Sequence, residues 1–535
     1  MTGTIKANDV EATVADLQQQ DIVGRIWRKD YTVWQPDPTE ITNRLGWLTV
    51  TDLMREQVPA LTAFAREVRD AGFRHVVLLG MGGSSLGPEV LRHTFRNRKG
   101  YPGLIVLDST VPAWIRSVAD AIDPAYTLFL VSSKSGTTLE TLCLYQYFYN
   151  LVQTAVGEKE AGQNFVAITD VGTPLAKLAA EMGFRRTFLN PSDIGGRYSI
   201  LSYFGLVPAV LSGVDIATLL DRAEQMREGC ASGVPIGDNP GARLGAIMGT
   251  LAQHGRDKLT LVTSPTINSF GLWVEQLIAE STGKKGKGII PIADEPLAGP
   301  DDYRNDRLFI YLRLEGDKNA ATDGAMERIE SSGQPVLRLE LHDRYDLGAE
   351  FFRWEFATAV AGATLGIHPF NQPDVQKAKD MTDRVLREYQ QMSRFPEIET
   401  ARSLNGLMAH AKPGNYLAIM AYVCDTPRLN RALTELRRKV TAKYHIATTL
   451  GYGPRFLHST GQLHKGGPDR GLFLQLIASH KQYLPIPGKS YPFEVLADAQ
   501  ALGDFQALNS LGRHIIRIHL GLQTMAAIRR LTSTL

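Results

Sequence analysis

The chain is predicted to be an α/β protein built on doubly wound parallel sheets. Two observations carry that expectation. Short apolar runs, of a length suited to buried strands, alternate along the chain with amphipathic stretches of helical period. Two loops rich in glycine and hydroxyl residues, Gly80–Pro88 and Ser132–Thr141, each follow such a run and lead into a helical stretch. Parallel sheets bind ligands beyond the carboxyl ends of their strands, which is where both loops fall.

Taken in order, residues 1–60 read as a polar, helical lead-in whose tryptophans serve as packing anchors. Residues 61–237 form a first α/β unit, with strands expected at 75–80, 104–108, 127–133, 165–170 and 186–190. The turn cluster Asp238-Asn239-Pro240-Gly241 opens a second unit, 238–395, with strands at 258–264, 288–292, 306–314 and 335–341. Apolar periodicity lapses around 394–405. A third unit, 396–535, carries strands at 416–423, 445–453 and 471–478, then a C-terminal helical region. This last part is expected to be an α+β subdomain.

Composition narrows the function. With 535 residues, the chain exceeds what one core accommodates. A net charge of +2 makes no case for a nucleic-acid surface. No apolar run reaches the length of a membrane span. The three cysteines lie far apart and fit neither a disulfide framework nor a zinc pattern. A cytoplasmic protein without a metal site is the expectation.

The chemistry concentrates in a few segments. In Val76–Leu91 an apolar strand, the loop Gly80-Met81-Gly82-Gly83-Ser84-Ser85 and a helix start suit an anion site of backbone N–H groups, or, taken alone, a tight βα turn with no ligand. In Ser132–Thr141 hydroxyls and Lys134 crowd a second helix start, which suits a phosphate dianion. A capping box would account for Thr137 and Glu140 there, but not for Ser133, Lys134 and Ser135. Two glycines precede Arg197, whose planar guanidinium suits a developing oxyanion or an ordinary salt bridge. On the apolar-striped helix at 268–282, Gln276 and Glu280 share a face. A carboxylate beside a buried seam can act as a general base, although a solvated surface role is the commoner one. Gln372 stands before a helix that carries Lys379, and His458 and His464 lie in a glycine-rich segment.

Five segments, GMGGSSLGP, VSSKSGTTLET, IGGRYS, EQLIAESTGK and PFNQPDVQKAK, run in order from Gly80 to Lys379. In them the chain resembles the glucose-6-phosphate isomerase family, whose fold is two flavodoxin-like sugar-isomerase (SIS) domains. The resemblance implies reversible aldose–ketose isomerisation of D-glucose 6-phosphate and D-fructose 6-phosphate through an enediol, with no cofactor. It implies sugar-phosphate contacts at Ser84, Ser133, Ser135 and Thr138, with Lys134 acting through its backbone and Gly83 alongside. It assigns Glu280 as the base, Arg197 to the enediol, Gln276 and Gln372 to substrate positioning, and Lys379 to ring opening. In the family the ring-opening histidine comes from the partner of a homodimer and precedes the last of these motifs. No such residue stands there, so His458 in LHSTGQ is the candidate, with His464 and His368 as rivals. Residues 400–535 most resemble the isomerase half of bifunctional transaldolase–phosphoglucose isomerases, although no transaldolase barrel is present. Two alternatives stay open: an isomerase of altered specificity, for glucose or mannose 6-phosphate, and a non-catalytic sugar-phosphate sensor.

Overall fold

Three parallel sheets, all wound in the same order, form the frame of the computed structural model, which describes residues 7–396, 403–481 and 483–535. The first sheet holds β1 (His75–Gly80), β2 (Gly103–Leu107), β3 (Thr127–Ser132), β4 (Phe165–Asp170) and β5 (Arg186–Asn190), in the order β2-β1-β3-β4-β5. The second holds β6 (Lys258–Thr263), β7 (Ile290–Ile292), β8 (Arg307–Leu314) and β9 (Val336–Leu341), in the order β7-β6-β8-β9. The third holds β10 (Tyr416–Tyr422), β11 (Ala447–Tyr452), β12 (Gly471–Ile477) and β13 (His514–His519), in the order β11-β10-β12-β13. In each, the second strand lies to one side of the first and the third strand to the other. That reversal opens a crevice at the carboxyl ends of the first and third strands.

The third sheet corrects the α+β expectation for the C-terminal unit. All its strand pairings are parallel. β10 and β12 are buried along their whole length, as strands covered on both faces must be. The helix Pro427–Tyr444 supplies the long crossover that a parallel pair requires. The region read as C-terminal helix contains β13 between the helices Phe493–Ser510 and Thr524–Thr534. The helices Tyr203–Leu211, Ile216–Gly229 and Ala320–Ser331 also went unread in the sequence. Of the stretch 394–405 where periodicity lapses, residues 397–402 lie outside the described residues.

The lead-in is bound to both the first and the second unit by its tryptophans, which act as the packing anchors expected of them. Trp34 Nε1 donates to the Ala359 carbonyl at 2.8 Å and Trp27 Nε1 to the Cys230 carbonyl at 2.7 Å. Trp47 is fully buried and stacks on Tyr198, next to Arg197. The helix Val50–Asp70 runs unbroken from the lead-in into the first unit.

Buried cations lock the third unit onto the other two. Arg455, just after β11, donates to both carboxylate oxygens of Asp108 at 2.8 Å each, just after β2. Arg437 donates to the carbonyls of Ala293, Asp294 and Thr448 from a fully buried position. Breaking a buried pair by deleting one partner leaves an uncompensated charge, at a cost of about 3–5 kcal/mol. Asp108→Ala is therefore expected to lower the stability of the whole chain by about that amount, read from the midpoint of chemical denaturation. Asp108→Asn, which keeps one acceptor, should lose less.

Candidate active site

β1 ends at Gly80, and the chain turns through Met81–Ser85 into the helix Leu86–Phe95. Two glycines there have specific reasons. Gly82 sits at φ +56°, in the left-handed region, and a Cβ on it would meet Gln276 Nε2 and the His458 carbonyl, each at 2.9 Å. A Cβ on Gly83 would lie 1.9 Å from the Gly196 carbonyl oxygen, so two backbones touch at this point. Ser84 is buried, and its hydroxyl has no hydrogen bond to protein among the described residues. Across the switch point, β3 leads through Ser133–Thr138 into the helix Leu139–Val156. Ser133 Oγ and Thr138 Oγ1 share a 2.8 Å hydrogen bond, and the Gly136 N–H donates to Ser133 Oγ at 3.2 Å. Ser135 is exposed and accepts from the Thr137 hydroxyl at 2.9 Å. The Lys134 ammonium is engaged by Asp170 and by the Ser192 carbonyl at 2.9 Å. Only its backbone is left to face the crevice.

Arg197 closes the other side. It is 3% exposed, and all five of its N–H donors have acceptors. Nε donates to Ser281 Oγ (2.8 Å), and Nη1 to Gln372 Oε1 (2.9 Å) and Glu280 Oε2 (3.3 Å). Nη2 donates to the carbonyls of Pro369 (2.7 Å) and Asn371 (3.0 Å). Glu280 and Gln276 project from the buried helix Phe270–Thr282, not from a solvated face. Gln276 Nε2 donates to the His458 carbonyl at 2.9 Å and approaches Glu280 Oε2 at 3.4 Å, and its Oε1 is buried without a partner among the described residues. Burial raises the pKa of the Glu280 carboxyl above its ordinary range, against the pull of Arg197, His458 and Lys284.

His458 enters from the third unit, in the turn that follows β11. Its Nε2 lies 2.8 Å from Glu140 Oε1, an oxygen that also accepts from Gln500 Nε2 at 2.7 Å. Gln500 is held in turn by the Thr110 hydroxyl at 2.6 Å. Burial works to raise the Glu140 pKa, but the charge and hydrogen bond of His458, with Lys379 nearby, hold it below its ordinary range. An ionised Glu140 makes Nε2 the protonated nitrogen and leaves Nδ1 free to act. This overturns the capping-box reading of Thr137 and Glu140. The side chain of Thr138, the residue at the cap position, makes no capping bond, and Glu140 turns to the histidine instead.

Of the rival histidines, one is held by hydrogen bonds and one by aromatic packing. His368 accepts from the Phe370 N–H at Nδ1 (3.2 Å), which leaves Nε2 to donate to the Thr39 carbonyl (3.2 Å). Burial, with Lys284 and Arg197 nearby, brings its pKa down to about 4. His464 is buried between Phe456 and Phe473. Lys379 is exposed on the helix Val375–Met392, close enough to Glu140 for their charges to interact. Sequence reading missed Glu140, Gln500 and Ser281 as parts of the site. Glu140 and His458 lie 318 positions apart, so no local pattern pairs them. Among the described residues no cluster of three or more His, Cys, Asp or Glu residues could hold a metal, and no helix is long and apolar enough to cross a membrane.

The family model described as phosphoglucose isomerase matches residues 49–288. A glucose-6-phosphate isomerase of Rubrobacter xylanophilus is 30% identical over 378 residues, 61% of this chain and 86% of the relative. The corresponding enzyme of Staphylococcus saprophyticus is 29% identical over 379 residues, 63% of this chain and 85% of the relative. Among solved structures, a hypothetical protein from Thermus thermophilus superposes with a TM-score of 0.60 at 24% identity, covering 72% of this chain and 99% of that one. A glucose-6-phosphate isomerase from Chlamydia trachomatis does so with a TM-score of 0.60 at 18% identity, covering 74% and 88%. The two structural likenesses bear on the fold, and the sequence relatives bear on the chemistry: the chain belongs to the glucose-6-phosphate isomerase family and is an enzyme that reversibly interconverts D-glucose 6-phosphate and D-fructose 6-phosphate.

Proposed function

We propose that the crevice between the two hydroxyl-rich loops and Arg197 carries out this isomerisation with the following division of labour. Ser84, Ser133, Ser135 and Thr138 hold the phosphate, together with the backbone N–H groups of Gly83 and Lys134. His458, oriented by Glu140, opens the ring with Lys379 close by: a proton leaves the C1 hydroxyl and another reaches the ring oxygen. Glu280 then removes the C2 proton of the open-chain aldose. The negative charge that develops on the enediolate is stabilised by Arg197. Glu280 returns its proton at C1, while a second proton passes from the C2 hydroxyl to the C1 oxygen. Gln276 and Gln372 position the substrate, with the unpartnered Gln276 Oε1 an acceptor for a sugar hydroxyl. The observation that carries this reading is that Glu280, Arg197, Gln276 and His458 meet around one backbone contact, Gly82–Gly83 against Gly196.

The proposal includes the cytoplasm as its setting, in keeping with three unpaired cysteines. It also bears on assembly. The resemblance led to a homodimer because the family's histidine crosses between subunits. Here a histidine of the same chain already lies beside Glu140 and Gln276, so we propose that any dimer is not needed to complete the site.

Three outcomes test these roles. Glu280→Gln keeps the shape and removes the base, and is expected to lower turnover by about a thousandfold or more while 6-phosphogluconate still binds. Near-normal turnover in a folded variant would reject Glu280.

The second test is the pH profile. The base works only when ionised, and burial raises its pKa. Activity should therefore fall, as pH drops, on an acid limb that lies above the usual glutamate range of about 4.3. An acid limb at or below that value would argue against a desolvated Glu280.

The third concerns His458. His458→Ala should slow conversion of the cyclic sugar and spare a substrate supplied in open-chain form. Mixing the His458→Ala and Glu280→Gln proteins should restore no activity, because base and histidine must lie on one chain. Recovery of activity in the mixture would show the histidine acting across subunits.

A further inference from the structure

The second sheet repeats the strand order of the first, so it has a switch point of its own, between β6 and β8. An open cavity of about 770 Å³ lies there, between the loop after β6 and the loop after β8. Its other wall is the last turn of the helix Leu86–Phe95 with the neighbouring Arg344. None of the residues assigned to the catalytic crevice lines it.

The two walls have different chemistry. One gathers arginines. Arg344 donates to the Thr94 carbonyl at 3.3 Å and lies over the Phe95 ring. Arg92 is fixed by two hydrogen bonds to Glu89, and Arg96 is exposed with no partner among the described residues. Between them Thr94, 1% exposed, has a buried Oγ1 without a partner among the described residues. The opposite wall presents fixed acceptors. The Asp317 carboxylate receives the N–H groups of Thr266 (2.7 Å) and Lys318 (2.8 Å), and Glu315 faces His342 at 3.3 Å. Arginines suit an anion, and carboxylates suit hydroxyl donors. A nucleic acid, charged along its whole length, would be repelled by the acidic wall. A small molecule with a phosphate at one end and hydroxyls at the other fits both.

The cavity also shares two helices with the catalytic crevice. The helix Leu86–Phe95 begins beside Ser84 and ends at the arginine wall. The helix Phe270–Thr282 begins at the cavity, just past Asn268, and carries Gln276 and Glu280 toward its other end. The two are in contact, with Ser269 Oγ donating to the Val90 carbonyl at 3.4 Å. At a rise of about 1.5 Å per residue, such helices span about 15–20 Å.

We propose that this cavity is a second binding site for a phosphorylated sugar, joined end to end with the catalytic crevice by the helices Leu86–Phe95 and Phe270–Thr282. The probe is 6-phosphogluconate, which the enzyme cannot isomerise, titrated calorimetrically into the full chain. Wild type should bind two equivalents. Ser135→Asp, which places a carboxylate in the proposed phosphate cradle, should bind one, and adding Arg96→Glu should remove it. In the Ser135→Asp protein the probe should slow amide exchange in the helix Phe270–Thr282, and Arg96→Glu should abolish that protection. Arg96→Glu alone should retain wild-type kcat. Arg344→Gln, checked for folding by circular dichroism, serves as a second variant if Arg96→Glu does not fold. A single equivalent in wild type that survives Arg96→Glu would overturn the second site. Two equivalents in Ser135→Asp, one of them lost with Arg96→Glu, would uphold this site and displace the cradle reading instead.

Discussion

The crevice depends on one guanidinium. Arg197 belongs to the first unit, yet its five donors reach two separate segments of the second unit, Glu280 and Ser281 on one helix and Pro369–Gln372 after another. Only a planar, forked cation can satisfy acceptors spread over so many directions, and lysine has neither the plane nor the number of donors. The arrangement buries the Glu280 carboxylate, and that burial raises its pKa although a positive charge lies 3.3 Å away. Desolvation outweighs the nearby cation. The same packing therefore joins two halves of the protein and leaves a carboxylate more basic than a solvated one.

Around this join the fold uses one topological device three times. Each sheet reverses its winding next to its first strand, which leaves loops at the carboxyl ends of its first and third strands. The first sheet uses them for the two hydroxyl-rich loops. The third unit sends in a histidine from the turn after β11, and the Arg455–Asp108 pair fixes that turn three residues before His458. The histidine's position is thus set by an ion pair between two sheets, beyond anything local to its own loop.

The sequence made the inner strands of the first two sheets legible because strands buried on both faces are short, apolar and bounded by turn residues. β13 was harder. His514 to His519 mixes buried and exposed residues and follows a long helical pattern, so it read as more helix. The hydroxyl loops were legible as strand-end loops since their residues are contiguous. Glu140 was not, because one residue satisfied two patterns. A glutamate at that position fits a helix start, and only the fold brings His458 and Gln500 against it. Gln276 and Glu280 were placed correctly on one face, but their burial depends on units that pack from both sides, which the helix's own periodicity cannot report.

The cis placement of His458 has a kinetic meaning. A catalytic group borrowed from another molecule is available only while the two are associated, so its supply falls as the protein is diluted. A group tethered through its own folded chain is held at a constant effective concentration, of order millimolar or more even for a flexible tether. With the Arg455–Asp108 pair fixing the turn, the tether here is rigid. On the proposed assignment of ring opening to His458, specific activity per chain is independent of enzyme concentration, and a cell can run the reaction with few copies without losing turnover to dissociation.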